Sequence, residues 1–232
     1  MLFNICVTAP IRPIITFTID GTEYVYDGSD LDITGKLLFQ NTGTRGWKMY
    51  VYDSFSMEFG FIGTTIDLCA VGHGGRGGAY DAGSGAYHYE YGGDGGNGGQ
   101  VLNLLAQRYN PGDVFNFTVG DSTKVLLNGA ELLAPTTGGG ASGGREQIAY
   151  YNPEQSEIVQ NGSNGSNGSY AFGDSTFDGI RYAPGGGGGG TSWGGWPSYS
   201  NGATSGSYGY GGHGGGGGNA GGKGVVIMRY TG

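Results

Sequence analysis

Alternation of apolar and polar residues is the first regularity along this chain. In "IITFTIDGTEYVYDG" (residues 14–28) an apolar-rich run stands on each side of Asp20-Gly21. Asp-Gly suits a two-residue hairpin turn, in which both central residues need positive φ, so the stretch predicts two antiparallel strands. Further strands are predicted at Lys36–Gln40, Trp47–Tyr52, Ser56–Phe61 and Thr65–Val71, separated by Gly, Asn, Thr and Asp turn chemistry. No window carries the 3.6-residue period of an ordinary helix. Beyond residue 72, "DVFNFTVG" and "TKVLLNG" predict a strand pair, and "GVVIMRY" (224–230) is a continuous apolar run that predicts a last strand.

Composition changes this picture at Gly72. Seven of the 55 glycines precede that residue, and 48 lie from it onward. The tracts have a period of three. Glycine recurs without a break at Gly206, Gly209, Gly212, Gly215, Gly218, Gly221 and Gly224, and the same spacing appears at Gly92, Gly95 and Gly98, at Gly162, Gly165 and Gly168, and at Gly72, Gly75 and Gly78. Three residues per turn is the repeat of the extended left-handed polyproline-II helix. Collagen needs long Gly-X-Y runs rich in proline, and seven prolines in 232 residues exclude it. The expected alternative is a bundle of polyglycine-II helices, in which glycine lets backbones come close enough to hydrogen-bond. Glycine loses more conformational freedom on ordering than any other residue, so only a bundle with nearly every amide paired would hold. A disordered low-complexity tail is the competing reading, and 17 tyrosines, ten phenylalanines and three tryptophans argue against it.

The expected fold is therefore mainly β with almost no α-helix. It has a small antiparallel N-terminal β-domain over 1–63 and a glycine-rich polyglycine-II domain over 64–232, closed by pairing of strands 65–71 and 225–230.

Charge and reactive residues narrow the function. With 11 basic and 19 acidic residues the net charge is −8, and the basic residues are scattered, which speaks against nucleic acid and anionic membranes as partners. No apolar run is long enough to cross a membrane as a helix, and no signal peptide is evident. Cys6 and Cys69 form neither a disulfide framework nor a metal-ligand spacing, and Cys69 within "TIDLCAVG" is expected to be a buried thiol. His73, His88 and His213 stand among glycines and tyrosines without metal-binding spacing, so no metal, no cofactor and no catalytic residue is expected. The chain does not read as an enzyme.

Three stretches interrupt the glycine period: "AYDAGSGAYHYEYGG", "REQIAYYNPEQSEI" and "TSWGGWPSYSNGATSGSYGY". They concentrate aromatic side chains, which give large contact area at low entropy cost and stack on sugar rings. The candidate receptor-binding residues are Tyr80, Asp81, Tyr87, His88, Tyr89, Tyr91, Tyr150, Tyr151, Trp193, Trp196 and Tyr199. The other reading of these aromatics, that they cover the sides of the bundle or a subunit interface, stays open. The expected structural glycines are Gly92, Gly95, Gly98, Gly162, Gly165, Gly168, Gly209, Gly212, Gly215, Gly218 and Gly221.

The succession "GWKMYVYDSFSMEFGFIGTTIDLCAVGHGGRGG", "YNPGDVFNFTVGD", "APGGGGGG" and "GYGGHGGGGGNAGGKGVVIMRY" resembles the glycine-rich domain of bacteriophage and prophage tail fibre and virion structural proteins, over roughly residues 45 to 232. It is similar to tail fibre tip adhesins built from stacked polyglycine helices. The resemblance implies a virion protein, assembled in the host cytoplasm, whose loops bind a host cell-surface receptor, with a glycan expected. It also implies other virion proteins as partners through the N-terminal region and a homo-oligomer, with a trimer favoured. A virion component without receptor binding, such as a head fibre, decoration or baseplate protein, is the alternative.

Overall fold

The computed structural model describes residues 14–43, 46–60, 65–77, 96–140 and 220–230, together with the backbone of 88–90, 146–148, 151–152 and 157–158. The protein is mainly β, and no helix occurs among the described residues. Two six-stranded antiparallel sheets carry most of it. The first contains β1 (Ile15–Ile19), β2 (Thr22–Tyr26), β6 (Phe55–Phe59), β10 (Val114–Thr118), β11 (Lys124–Leu127) and β12 (Ala130–Leu133), in the order β12-β11-β10-β6-β1-β2. The second contains β3 (Leu31–Ile33), β4 (Leu37–Asn41), β5 (Trp47–Val51), β7 (Thr65–Val71), β9 (Val101–Arg108) and β16 (Val225–Tyr230), in the order β3-β4-β5-β16-β7-β9.

Local chemistry sets the turns. Asp20 and Gly21 both take positive φ, 49° and 81°, and close the predicted β1–β2 hairpin with Ile19 opposite Thr22. Asn128 and Gly129, at 50° and 82°, do the same between β11 and β12. Before β10 the chain turns at Asn110-Pro111-Gly112-Asp113. Gly112 has φ 86°, as a turn with proline first and glycine second requires, and the Asp113 amide donates to the Asn110 carbonyl at 3.0 Å. The Asp113 carboxylate accepts from the Asn110 amide and the Asn128 side chain, each at 2.7 Å. The first of these bonds, with the second in support, holds the Asp113 carboxyl below its ordinary value. The backbone N–H of Ser56, helped by Lys36, does the same for Asp20.

The sheets face each other across the larger of two apolar clusters, toward which alternate residues of β1, β4, β5 and β6 point. Cys69, Val71, Val101, Val225 and Ile227 form a second cluster on the other face of the second sheet. Ile15, Phe17 and Ile19 of β1 meet Leu37 and Phe39 of β4 and Met49 of β5, with the Phe17 and Phe39 rings 5.2 Å apart. Trp47 stacks between the sheets on Phe59, at 6.1 Å. The strands on the two sides of the expected 63/64 boundary are interleaved: β6 pairs with β10, and β16 lies between β5 and β7. One sandwich thus spans that boundary. At Gly72, where the composition changes, β7 runs out into a glycine segment. The predicted pairing of 65–71 with 225–230 is present, with Val225 opposite Val71.

Four glycine-containing segments, 72–77, 96–100, 134–140 and 220–224, continue β7, β9, β12 and β16 beyond the same end of the sandwich. Their backbones hydrogen-bond to one another. The amides of Gly72 and Gly75 donate to the carbonyls of Gln100 and Asn97, and the amides of Gln100 and Asn97 donate to those of Thr136 and Gly139. Gly74 donates to Gly222, and His73 accepts from Gly138. Within 72–75, three consecutive residues therefore address three different neighbours, and the first neighbour is met again three residues on, at Gly75. At the opposite pole of the sandwich lie Ile14, at the start of β1, and Tyr230, at the end of β16.

Candidate functional site

Close approach of the four segments depends on the absence of side chains. A β-carbon on Gly72, Gly75, Gly96, Gly99, Gly138 or Gly221 would lie under 3.0 Å from a backbone oxygen of a neighbouring segment: those of Thr136, Gly139, Gly75, Gly72, Asn97 and Gly74 respectively. None of these glycines has positive φ. They are required for space, unlike Gly21 and Gly129, which meet open solvent and are required for conformation. Of the expected structural glycines, Gly221 meets this criterion and Gly98 is buried within 96–100. Gly92, Gly95, Gly162, Gly165, Gly168, Gly209, Gly212, Gly215 and Gly218 lie outside the described residues. Gly138 stands outside the expected set, because three consecutive glycines are too few to display a period.

Side chains lock the segments to the sandwich. The buried Thr123 hydroxyl donates to the Val71 carbonyl at 2.8 Å, at the point where β7 gives way to glycine. A β-carbon on Gly224 would collide with both groups. The Gln100 side-chain oxygen accepts from the Thr136 amide and hydroxyl, at 3.0 and 3.1 Å. His73 is held in the same seam: Nδ1 is 2.5 Å from the Gly74 carbonyl and Nε2 is 3.9 Å from Asp121. That is the setting of a packed imidazole. Among the described residues no cluster of His, Cys, Asp or Glu could hold a metal ion.

Two long excursions leave these segments at the end away from the sandwich. Residues 78–95 connect 72–77 to 96–100, and residues 141–219 connect 134–140 to 220–224. All eleven candidate receptor-binding residues fall within one or the other. Backbone pairing joins the two excursions: β8 (His88–Glu90) runs antiparallel to β13 (Glu146–Ile148), with His88 opposite Ile148 and Tyr89 opposite Gln147. Next along the chain, β14 (Tyr151–Asn152) pairs with β15 (Glu157–Ile158), with Tyr151 opposite Ile158. His88, Tyr89 and Tyr151 thus stand on short paired strands. Tyr80, Asp81, Tyr87, Tyr91, Tyr150, Trp193, Trp196 and Tyr199 lie outside the described residues.

The sequence marks the aromatic stretches but not the ribbon that ties the first to the second. Its signal is weak, since "HYE" and "EQI" are three residues each and lie 58 positions apart. No family model matches the chain, and comparison with curated proteins finds no match.

Proposed function

We propose that this chain is a bacteriophage virion protein, a tail fibre or tail-tip adhesin. It binds a host cell-surface glycan through the aromatic excursions 78–95 and 141–219, carried on a polyglycine-II bundle. The observation that carries this reading is polarity. Every candidate contact residue belongs to an excursion that leaves one end of the glycine segments, while Ile14 and Tyr230 lie at the far pole of the sandwich. A molecule attached to a particle by its sandwich end would hold those excursions outward.

Hydrogen bonds that recur after three residues, from Gly72 and Gly75 to 96–100 and from Asn97 and Gln100 to 134–140, support the polyglycine-II reading of the segments, since that helix repeats every three residues and bonds only to its neighbours. Rigid backbone pairing suits presentation, because contact residues on a fixed scaffold lose less entropy on binding. Tyrosine and tryptophan stack on sugar rings while their polar atoms bond hydroxyls. Attachment to other virion proteins through the N-terminal region and assembly as a homo-oligomer belong to the same proposal.

The test combines location with competition. Purified protein is expected to bind host cells and to block particle adsorption, and antibody labelling is expected at the fibre or tail tip. Replacing residues 79–91 with a glycine-serine linker is expected to abolish competition and leave the melting temperature unchanged. Labelling at the capsid or tail shaft, with no competition, overturns the adhesin reading in favour of a purely structural virion component.

A further inference from the structure

Asn128 ties two turns together. Its backbone amide donates to the Val114 carbonyl at 2.8 Å, its side-chain oxygen accepts from the Val114 N–H at 2.9 Å, and its side-chain nitrogen donates to the Asp113 carboxylate at 2.7 Å. The same carboxylate accepts from the Asn110 amide. One side chain of the β11–β12 hairpin is thereby bonded into the turn that precedes β10.

The residue after Asn128 is Gly129, and that makes the pair chemically reactive. An asparagine side chain is open to attack by the backbone nitrogen of the next residue, and glycine puts no side chain in the way. Asn-Gly occurs six times in the sequence, and two of these pairs lie among the described residues. At Asn97-Gly98 the backbone is fixed between glycine segments, with Asn97 donating to Gly139 and accepting from Gly75. Asn128-Gly129 is instead an exposed two-residue loop. Its central peptide stands outside the ladder, because the hydrogen bond of such a turn joins the residues on either side. The restraint on this pair is therefore the hold on the Asn128 side chain.

We propose that Asn128 is a deamidation site held closed by Asp113, and that its conversion to an acid unties the two turns. In the reaction the Gly129 nitrogen gives up its proton and bonds to Asn128 Cγ, the Cγ–Nδ2 bond breaks, and the side-chain nitrogen takes a proton and leaves as ammonia. The product is a cyclic imide. Water adds to one imide carbonyl to give aspartate, or to the other to give isoaspartate, whose main chain is longer by one methylene.

The leaving nitrogen is the one bonded to Asp113. Losing a bond to a charged acceptor before the transition state slows the step about tenfold or more. The Asn110 amide first, and Asn128 second, hold the Asp113 carboxyl low, so the acceptor is charged at neutral pH. After conversion a second carboxylate faces it where a donor stood, and the like charges repel. This chemistry is independent of adhesion, and its failure would leave the adsorption experiment untouched.

The tryptic peptide Val125–Arg145 isolates the reaction, since Asn128 is its only side-chain amide. Full-length protein is kept at neutral pH, digested at intervals and analysed by mass spectrometry for conversion of that amide to an acid. Conversion in the folded parent is expected to be at least about tenfold slower than in the parent unfolded in urea. Asp113→Ala, or the isosteric Asp113→Asn if the first does not fold, should recover most of that difference. Gly75→Ala, weakened in the glycine segments beyond the other end of β12, should convert as slowly as the parent. Asn128→Asp should melt earlier than the parent at neutral pH, with a gap that narrows in acid. Equal rates in the folded and unfolded parent, no acceleration on replacing Asp113, or the same acceleration in Gly75→Ala overturns the proposal. An Asn128→Asp variant as stable as the parent at neutral pH overturns the untying of the turns.

Discussion

The carbonyl oxygen of Gly139 occupies the place that a β-carbon on Gly75 would need. Backbone faces backbone across this contact, so no side chain can swing aside to make room. Replacing Gly75 by alanine is expected to cost about 1–3 kcal/mol, the usual range for overpacking. At about 2–4 °C per kcal/mol for a chain of this size, the melting temperature falls by several degrees. Gly140→Ala is the control, since its β-carbon would come no nearer than 3.8 Å to the Arg76 carbonyl oxygen. That variant should stay within about 0.5 kcal/mol of the parent. Equal losses in the two variants, read by calorimetry, would refute close packing of the segments.

The seam at Thr123 offers a second test. Thr123→Val preserves shape and removes the hydroxyl that donates to the buried Val71 carbonyl. Leaving that oxygen without its partner is expected to cost about 1–3 kcal/mol. Hydrogen exchange should then rise at Gly72, Gly74 and Gly75, whose amides bond just beyond the seam.

Asp67 joins three strands. Its carboxylate accepts from the Ala106 amide on β9 at 3.0 Å and from the Arg229 guanidinium on β16 at 2.7 Å, so the bulge and its neighbour are fixed by one side chain. A double-mutant cycle on Asp67→Asn and Arg229→Gln should give a coupling of about 1–3 kcal/mol, as for hydrogen bonds to charged groups in partly buried positions. Coupling near zero would make the pair incidental.

Acid should loosen two turns. The folded state lowers the carboxyls of Asp113, through Asn110 and then Asn128, and of Asp20, through Ser56 and then Lys36. A lowered folded value means that this stabilisation is complete above the ordinary carboxylate value of 3.8 and is lost as pH falls through the folded value. Asp113→Asn should therefore melt earlier than the parent at pH 7, and the gap should narrow as the pH falls below the ordinary carboxylate value of 3.8. A gap independent of pH would show that the turn does not sense the charge.

Local chemistry alone makes the turns legible. Asp20-Gly21 takes the two positive φ values its sequence calls for, and the strands beginning at Thr65 and Val225 pair as expected. Asn128-Gly129 carries the same signal and closes a hairpin, yet "TKVLLNG" predicts a partner for the strand before it and none for "AELL" after it. Strand β9, "VLNLLAQR", escapes because its apolar residues do not alternate. Its period is broken by the bulge at Ala106, which only the neighbouring Asp67 explains. The long-range pairing is not legible either, since β10, one partner of β6, and β16, one partner of β5, lie more than 50 and 170 residues downstream. The period of three finds the residues that touch at Gly72, Gly75 and Gly221, because spacing between backbones is written directly in glycine. Which aromatics share a strand pair depends on loop pairing such as Tyr89 with Gln147, and no local pattern encodes that.

Each of the four glycine segments is covalently continuous with a strand, and β7 and β16, which continue two of them, pair with each other from Val71 and Val225 to Asp67 and Arg229 and have a further strand on their other sides. Tension applied to the excursions and resisted at the far pole runs along the segments and strands, parallel to their axes. The rows of hydrogen bonds between them are then sheared together instead of being peeled apart one after another. A glycine scaffold with almost no side chains can in this way transmit a pull, with the sandwich as its grip.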